Sequence, residues 1–190
     1  MRIISGFLRG KKINYLKNLN TRPLKDSVKE NIFNILEHSK IIKPKIYKAN
    51  VLDLYSGVGS FGIECISRGA NKVNFFEKEI HALNILKKNL NILSIQKKSE
   101  IFNGKIEETL KKNLKRKFNI FFLDPPFGEN TYLNNLELIK KNKIFEPNHI
   151  IIIHRKKNTQ DNFKNLIEIS DIRKYGKSKI IFAHFSNFFV

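Results

Sequence analysis

The stretch VLDLYSGVGSFGIE, residues 51–64, decides the fold. It opens as a short apolar strand carrying Asp53, then passes through Gly57, Gly59 and Gly62 in a G-x-G-x-x-G array before an apolar helical segment begins. Glycines at that spacing permit a tight turn, a close approach of backbone to a ligand and close packing of helix on strand. Glu77 closes the next strand, KVNFFE, where a carboxylate can take ribose hydroxyls. Strand, glycine turn, helix and acidic strand end together predict a dinucleotide-like site at the edge of a doubly wound sheet.

Both a nicotinamide dinucleotide and S-adenosylmethionine satisfy that array, and Asp53 separates them. A pyrophosphate is held by helix N–H groups and is repelled by a carboxylate, at about 4 kcal/mol for unit charges about 4 Å apart at an effective dielectric of 20. S-adenosylmethionine carries an ammonium and a sulfonium and has no phosphate, so Asp53 attracts it. The cofactor-binding candidates are therefore Asp53, Tyr55, Ser56, Gly57, Gly59 and Glu77. Asn103, ending the third strand, is placed for the adenine edge.

Working outward, short apolar strands alternate with amphipathic segments. Strand NVLDLY is followed by a helix over 60–68 stopped by Gly69, then KVNFFE, a helix over 79–93, SEIFN and a helix over 106–116. NIFFL, a helix over 132–141, HIIIIH, a short helix near 161–166, and the closing strands EISDIRKY and KIIFAHF complete the series. Such alternation predicts a mostly parallel sheet covered on both faces, with the last two strands antiparallel at one edge. Upstream, residues 1–20 read as a basic hairpin around RGKK, and TRPLKDSVKENIFNILEH as a helix with a Ser27–Glu30 capping box. A basic extension over residues 1–45 and a main domain over 46–190 are expected.

The second informative stretch is NIFFLDPPFGEN, residues 119–130. A buried strand stops there at a carboxylate, two prolines and an aromatic ring. Ligands of a doubly wound sheet lie at the carboxyl ends of the strands flanking the switch point, here the first and fourth. Asp124 and the Pro125 carbonyl would then accept hydrogen bonds from an sp² amino group and aim its lone pair at a methyl donor. The prolines fix φ and have no N–H to compete for those acceptors. Phe127 would stack on the base, a contact worth roughly 1–3 kcal/mol. Asp124, Pro125, Pro126 and Phe127 are the catalytic candidates, and Asp124 also adjoins the cofactor.

Composition agrees with a phosphate-rich partner. Lys and Arg number 36 against 17 Asp and Glu, a net charge of +19, and the first fifty residues hold 12 basic and 3 acidic side chains. With 29 Lys and 7 Arg among many Ile and Asn, part of that charge reflects compositional drift. There is no metal-ligand motif, and the single Cys65 sits at an apolar helical position as a core residue of a reducing compartment. A cytoplasmic protein, monomeric and without a membrane segment, is expected.

With these residues in hand, the chain resembles the class I S-adenosylmethionine-dependent methyltransferases with a D-P-P-F motif, and specifically the RsmD type, bacterial 16S rRNA guanine-N2 methyltransferases. The resemblance runs through MRIISGFLRGKKI, TRPLKDSVKENIFNIL, VLDLYSGVGSFGIECISRGA and FLDPPF. It implies a Rossmann-like fold and methylation of one guanine N2 of 16S rRNA within the assembling small ribosomal subunit. It also implies RNA contacts from Arg2, Arg9, Lys11, Lys12 and Arg22. Leu24 departs from the family's small polar residue after T-R-P, and Tyr55-Ser56 from its more usual Phe-Ala. An adenine-N6 enzyme would share D-P-P-F but usually carries an inserted recognition region, for which this chain has little room. A nicotinamide oxidoreductase is disfavoured by Asp53, and a purely RNA-binding module gives Asp124 and Phe127 no purpose.

Overall fold

A computed structural model describes residues 1–15, 24–111, 114, 116–126 and 128–186. Its centre is a seven-stranded sheet. The strands are β1 (Asn50–Leu54), β2 (Lys72–Glu77), β3 (Ser99–Asn103), β4 (Phe118–Leu123), β5 (Phe145–Lys156), β6 (Ile167–Tyr175) and β7 (Ser178–Phe185). They lie in the order β3-β2-β1-β4-β5-β7-β6, with β1 to β5 parallel and β7 antiparallel to both β5 and β6. The order reverses between β1 and β4, which are hydrogen-bonded neighbours, so the crevice expected at a switch point opens at Leu54 and Leu123.

The helices are α1 (Asp26–His38), α2 (Ser60–Ser67), α3 (Ile80–Ile92), α4 (Ile106–Lys111) and α5 (Tyr132–Lys141). Successive strand residues point to opposite faces, and both faces are covered. Val51, Ile120, Phe122, Ile150 and Ile152 pack into one apolar layer with α1, α2 and α3. Leu52, Phe121, Leu123, Ile151 and Ile153 pack into the other with α4 and α5. This two-sided burial explains why the central strands read as unbroken apolar runs.

Several sequence expectations need correction. Helix α1 begins at Asp26, and its N-cap Lys25 makes no side-chain cap, so the Ser27–Glu30 capping box is not formed. Ser27 lies inside the first turn, and Asp26 supplies the negative charge that favours a helix N-terminus. No helix forms over 161–166: Asp161 is drawn inward by Arg155, Lys179 and Tyr132, and residues 161–163 have no regular structure before a turn at 164–165. Strand β5 is longer than HIIIIH, starting at Phe145 and carrying Pro147 where the register against β4 shifts. Glu79 is the N-cap of α3, its carboxylate accepting from the His81 and Ala82 N–H groups, and is not the helix's first residue.

The amino-terminal hairpin is a compact loop with one antiparallel bridge, Arg2 to Lys12, without extended strands. Residues 16–20 of that expectation lie outside the described residues. The loop docks on α2: the buried Glu64 carboxylate accepts from Ile4 and Ser5 N–H at 2.8 and 2.9 Å, and Leu8 N–H donates to Ser67 Oγ. Gly6, at φ +83°, passes so close to α2 that a Cβ there would overlap the Ser67 carbonyl. Lys29 of α1, fully buried, donates to the Arg2 carbonyl and Ser60 Oγ and stands 3.8 Å from Glu64. Burial lowers its pKa, while the Glu64 and Asp26 charges oppose that shift. Ile3, Leu8, Ile13, Val28 and Ile32 share one apolar layer with the sheet.

Candidate active site

A cavity of about 740 Å³ opens at the switch point. Its walls include Asp53, Tyr55, Ser56, Gly57, Glu77 and, across from them, Asp124, Pro125 and Pro126. The two sequence motifs, some seventy residues apart, therefore face one space because β1 and β4 pair directly.

The cofactor half is built largely by backbone donors. Asp53 is almost wholly buried, and its Oδ2 accepts from the Gly62 N–H at 3.0 Å, which fixes the start of α2. Its Oδ1 is buried without a hydrogen-bond partner among the described residues. Burial drives the Asp53 carboxyl well above the usual carboxylate range; the Gly62 N–H opposes this, and the charges of Asp124 and Glu77 add to it. Glu77 Oε2 accepts from the Gly57 N–H at 2.6 Å, and Oε1 from the Lys78 and Glu79 N–H groups at 2.9 and 2.8 Å. Both carboxylates thus cap neighbouring backbone as well as facing the cavity.

Gly57 has φ +54°, and a Cβ there would meet nothing within 4 Å, so the backbone is open to a ligand at that point. Gly59, at φ +86°, is the α2 N-cap, and a Cβ would strike Leu86. Tyr55 also has positive φ, +63°, and Asn135 of α5 donates to its hydroxyl at 2.8 Å. Ser56 N–H and Oγ both donate to the Phe76 carbonyl. Asn103 pairs in register with Glu77 but is exposed; Gly104, Lys105 and Ile106 line the cavity at that end.

The Asp124–Pro126 wall is held by side chains from β5, which sequence reading did not single out. Asp124 Oδ1 lies 2.8 Å from His154 Nδ1, and His154 itself lines the cavity. The next residue, Arg155, is buried beneath the tetrapeptide. Its Nε pairs with Asp161 at 2.8 Å, Nη1 reaches the Pro126 and Glu129 carbonyls at 3.5 and 3.1 Å, and Nη2 reaches Asn130 Oδ1 at 3.2 Å. The guanidinium also sits over the Tyr132 ring, 4.6 Å from its centroid. Asp161, which also receives Tyr132 Oη–H and Lys179, is the anchor of this network. Its burial raises its pKa, but bonds from Lys179, Tyr132 and Arg155 outweigh that and leave it lowered. Only the adjacency of His-Arg to a strand end hinted at these roles.

Of the RNA candidates, Arg2, Arg9, Lys11 and Lys12 are exposed on the docked loop, beside the exposed Phe7 and Tyr15. Met1, Tyr15 and Leu24 reach the cavity wall, so the extension borders the site. Phe127 and Arg22 lie outside the described residues.

The sheet order, the glycine loop after β1 and the tetrapeptide after β4 define a Rossmann-like class I methyltransferase fold. Superposition on the yhhF protein of Escherichia coli gives a TM-score of 0.83 at 24% identity, covering 98% of each chain. SMU.776, solved in complex with S-adenosylhomocysteine, shares the fold with a TM-score of 0.64 at 14% identity, covering 82% of this chain and 48% of that one. The chain belongs to the family described as conserved hypothetical protein 95, which matches residues 1–184. It is 36% identical over 159 residues to the Ribosomal RNA small subunit methyltransferase D of Haemophilus influenzae, covering 83% of this chain and 79% of that protein. The residues present fit S-adenosylmethionine, the cofactor of this class: an orphaned carboxylate oxygen on Asp53, an open backbone at Gly57, and a carboxylate at Glu77.

Proposed function

We propose that the protein transfers the methyl group of S-adenosylmethionine to the exocyclic N2 of a guanine in 16S rRNA of the assembling small ribosomal subunit. The observation that carries this reading is the shared cavity, with carboxylates suited to a cationic ligand on one wall and Asp124-Pro125 on the other. When bound, the cofactor supplies an electrophilic methyl on sulfonium.

Asp53 and Glu77 hold that cation and the ribose hydroxyls, and the Gly57–Gly59 backbone admits the methionine end. Asp124 and the Pro125 carbonyl accept from the two amino N–H groups of the base and turn the nitrogen lone pair toward the methyl. His154 fixes the rotamer of the Asp124 carboxylate through the 2.8 Å contact, leaving its other oxygen for substrate. Phe127 stacks on the base, and Pro126 presents no N–H to compete for the acceptors. Arg2, Arg9, Lys11, Lys12 and Arg22 grip phosphates, making residues 1–45 the RNA-binding extension of a catalytic domain over 46–190. The protein acts as a cytoplasmic monomer.

Incubation with labelled cofactor and small subunits from a strain lacking the gene, followed by nucleoside analysis, tests the reading. Label in N2-methylguanosine is expected. Label in N6-methyladenine, or a preference for DNA, would overturn the guanine assignment.

A further inference from the structure

The grip assigned above lies on one side of the crevice. The amino-terminal loop bonds to α2 and to Asn89 of α3, the helices that connect β1, β2 and β3. The other side, formed by β5, β7 and β6, carries a separate set of cations.

Strand β5 runs parallel to β1 and β4, so its last residues emerge at the same end of the sheet as Asp53 and Asp124. Lys156 therefore stands two positions beyond His154 of the cavity wall, with Lys157 next. The antiparallel β6–β7 hairpin turns at that same end, since Lys156 pairs with Ser178 and Tyr175 pairs with Ser178. It adds Lys174 and Lys177, and the Lys157 N–H donates to the Lys177 carbonyl, joining the hairpin tip to the end of β5. All four lysines are exposed.

Among the described residues, the acids of this region are already engaged. Asp161 is held by Arg155 and Lys179, Asp171 by Arg173 at 2.7 Å, and Glu168 by His184. Lys156, Lys157, Lys174 and Lys177 make no ion pair among the described residues. The platform is also fixed relative to the chemistry. Lys179 and Arg155 share Asp161, and Arg155 holds the Pro126 and Glu129 carbonyls. With strands about 4.8 Å apart, β5, β7 and β6 lie about 5–15 Å from β4, within reach of phosphates one to three nucleotides from a base at Asp124.

We propose that the β5 end and the β6–β7 hairpin tip form a second phosphate-binding surface, so that the RNA strand crosses the crevice between two basic arms. The proposal rests on the RNA reading above and adds where the far strand is held. Contacts of this kind carry no base information; they fix register and strengthen binding uniformly.

The test replaces Lys156, Lys157, Lys174 and Lys177 together with Ala. The control removes the same charge from Lys87 and Lys88 on α3 and from Lys97 and Lys117, which precede β3 and β4 at the opposite end of the sheet. Binding to small subunits from a strain lacking the gene is measured across a salt series, and cofactor binding by calorimetry. The platform variant is expected to bind RNA roughly ten- to a hundredfold more weakly and to flatten the salt dependence by about 0.7–0.9 in log–log slope for each phosphate no longer neutralised. Cofactor affinity is expected to stay unchanged, and the control to weaken RNA binding by less than about threefold. Equal losses in platform and control, or none in the platform, would overturn the surface while leaving the function standing. A wild-type protein that neither binds nor methylates those subunits above background would overturn both.

Discussion

The two walls of the crevice are built on opposite principles. On the cofactor wall, the side chains Asp53 and Glu77 are set by backbone N–H groups a few residues away or across one strand pairing, from Gly62, Gly57, Lys78 and Glu79. On the opposite wall, the Asp124 and Asn130 side chains and the Pro126 and Glu129 carbonyls are held by side chains roughly thirty residues distant, His154 and Arg155, the latter fixed by Asp161. Local backbone bonds tolerate replacement of distant residues; a wall hung on one buried guanidinium does not.

The sharpest way to break the contrast is Arg155→Ala. Removing one partner of a buried ion pair costs about 3–5 kcal/mol, here toward the lower end because Lys179 and Tyr132 still hold Asp161. Urea unfolding should show that loss, with turnover falling as the tetrapeptide loosens. A smaller loss is expected for His154→Ala. A hydrogen bond to a charged group contributes about 1.5–3 kcal/mol, so kcat should fall about tenfold or more while cofactor affinity holds, as read by turnover at saturating substrates and calorimetry.

The smallest effect is expected on the cofactor wall, and with the opposite sign. A carboxyl whose folded pKa is raised contributes stability that is present at low pH and lost as pH rises through the raised value. Asp53 is such a group, so the cofactor-free protein should be less stable at neutral than at mildly acidic pH. Asp53→Asn keeps an acceptor for the Gly62 N–H and removes that loss. It should raise the neutral-pH melting temperature of the cofactor-free protein by about 2–4 °C for each kcal/mol recovered, while weakening S-adenosylmethionine binding. Thermal melts with and without cofactor read both arms.

The same contrast governs what the sequence disclosed. The glycine array, Asp53 and Glu77 are legible because their partners are local or one strand away, and strand alternation follows from two-sided burial. Asp124-Pro125 is legible as an abrupt strand end. His154, Arg155 and Asp161 are not, since their meaning depends on β5 pairing beside β4 and on a loop folding back beneath the tetrapeptide. The segment 161–166 reads as a short helix, yet tertiary bonds to Asp161 override that local reading. Insertion of β7 between β5 and β6 likewise has no local signal.

The division of labour between the two walls is tested most directly by Asp124→Ala, comparing calorimetric S-adenosylmethionine affinity with single-turnover methylation of small subunits. The cofactor affinity should remain within about threefold of wild type while the methylation rate falls about 10²–10³-fold, because the role proposed for Asp124 is exerted on the amino group in the transition state. Parallel loss of affinity and rate would contradict it, placing Asp124 on the cofactor wall instead.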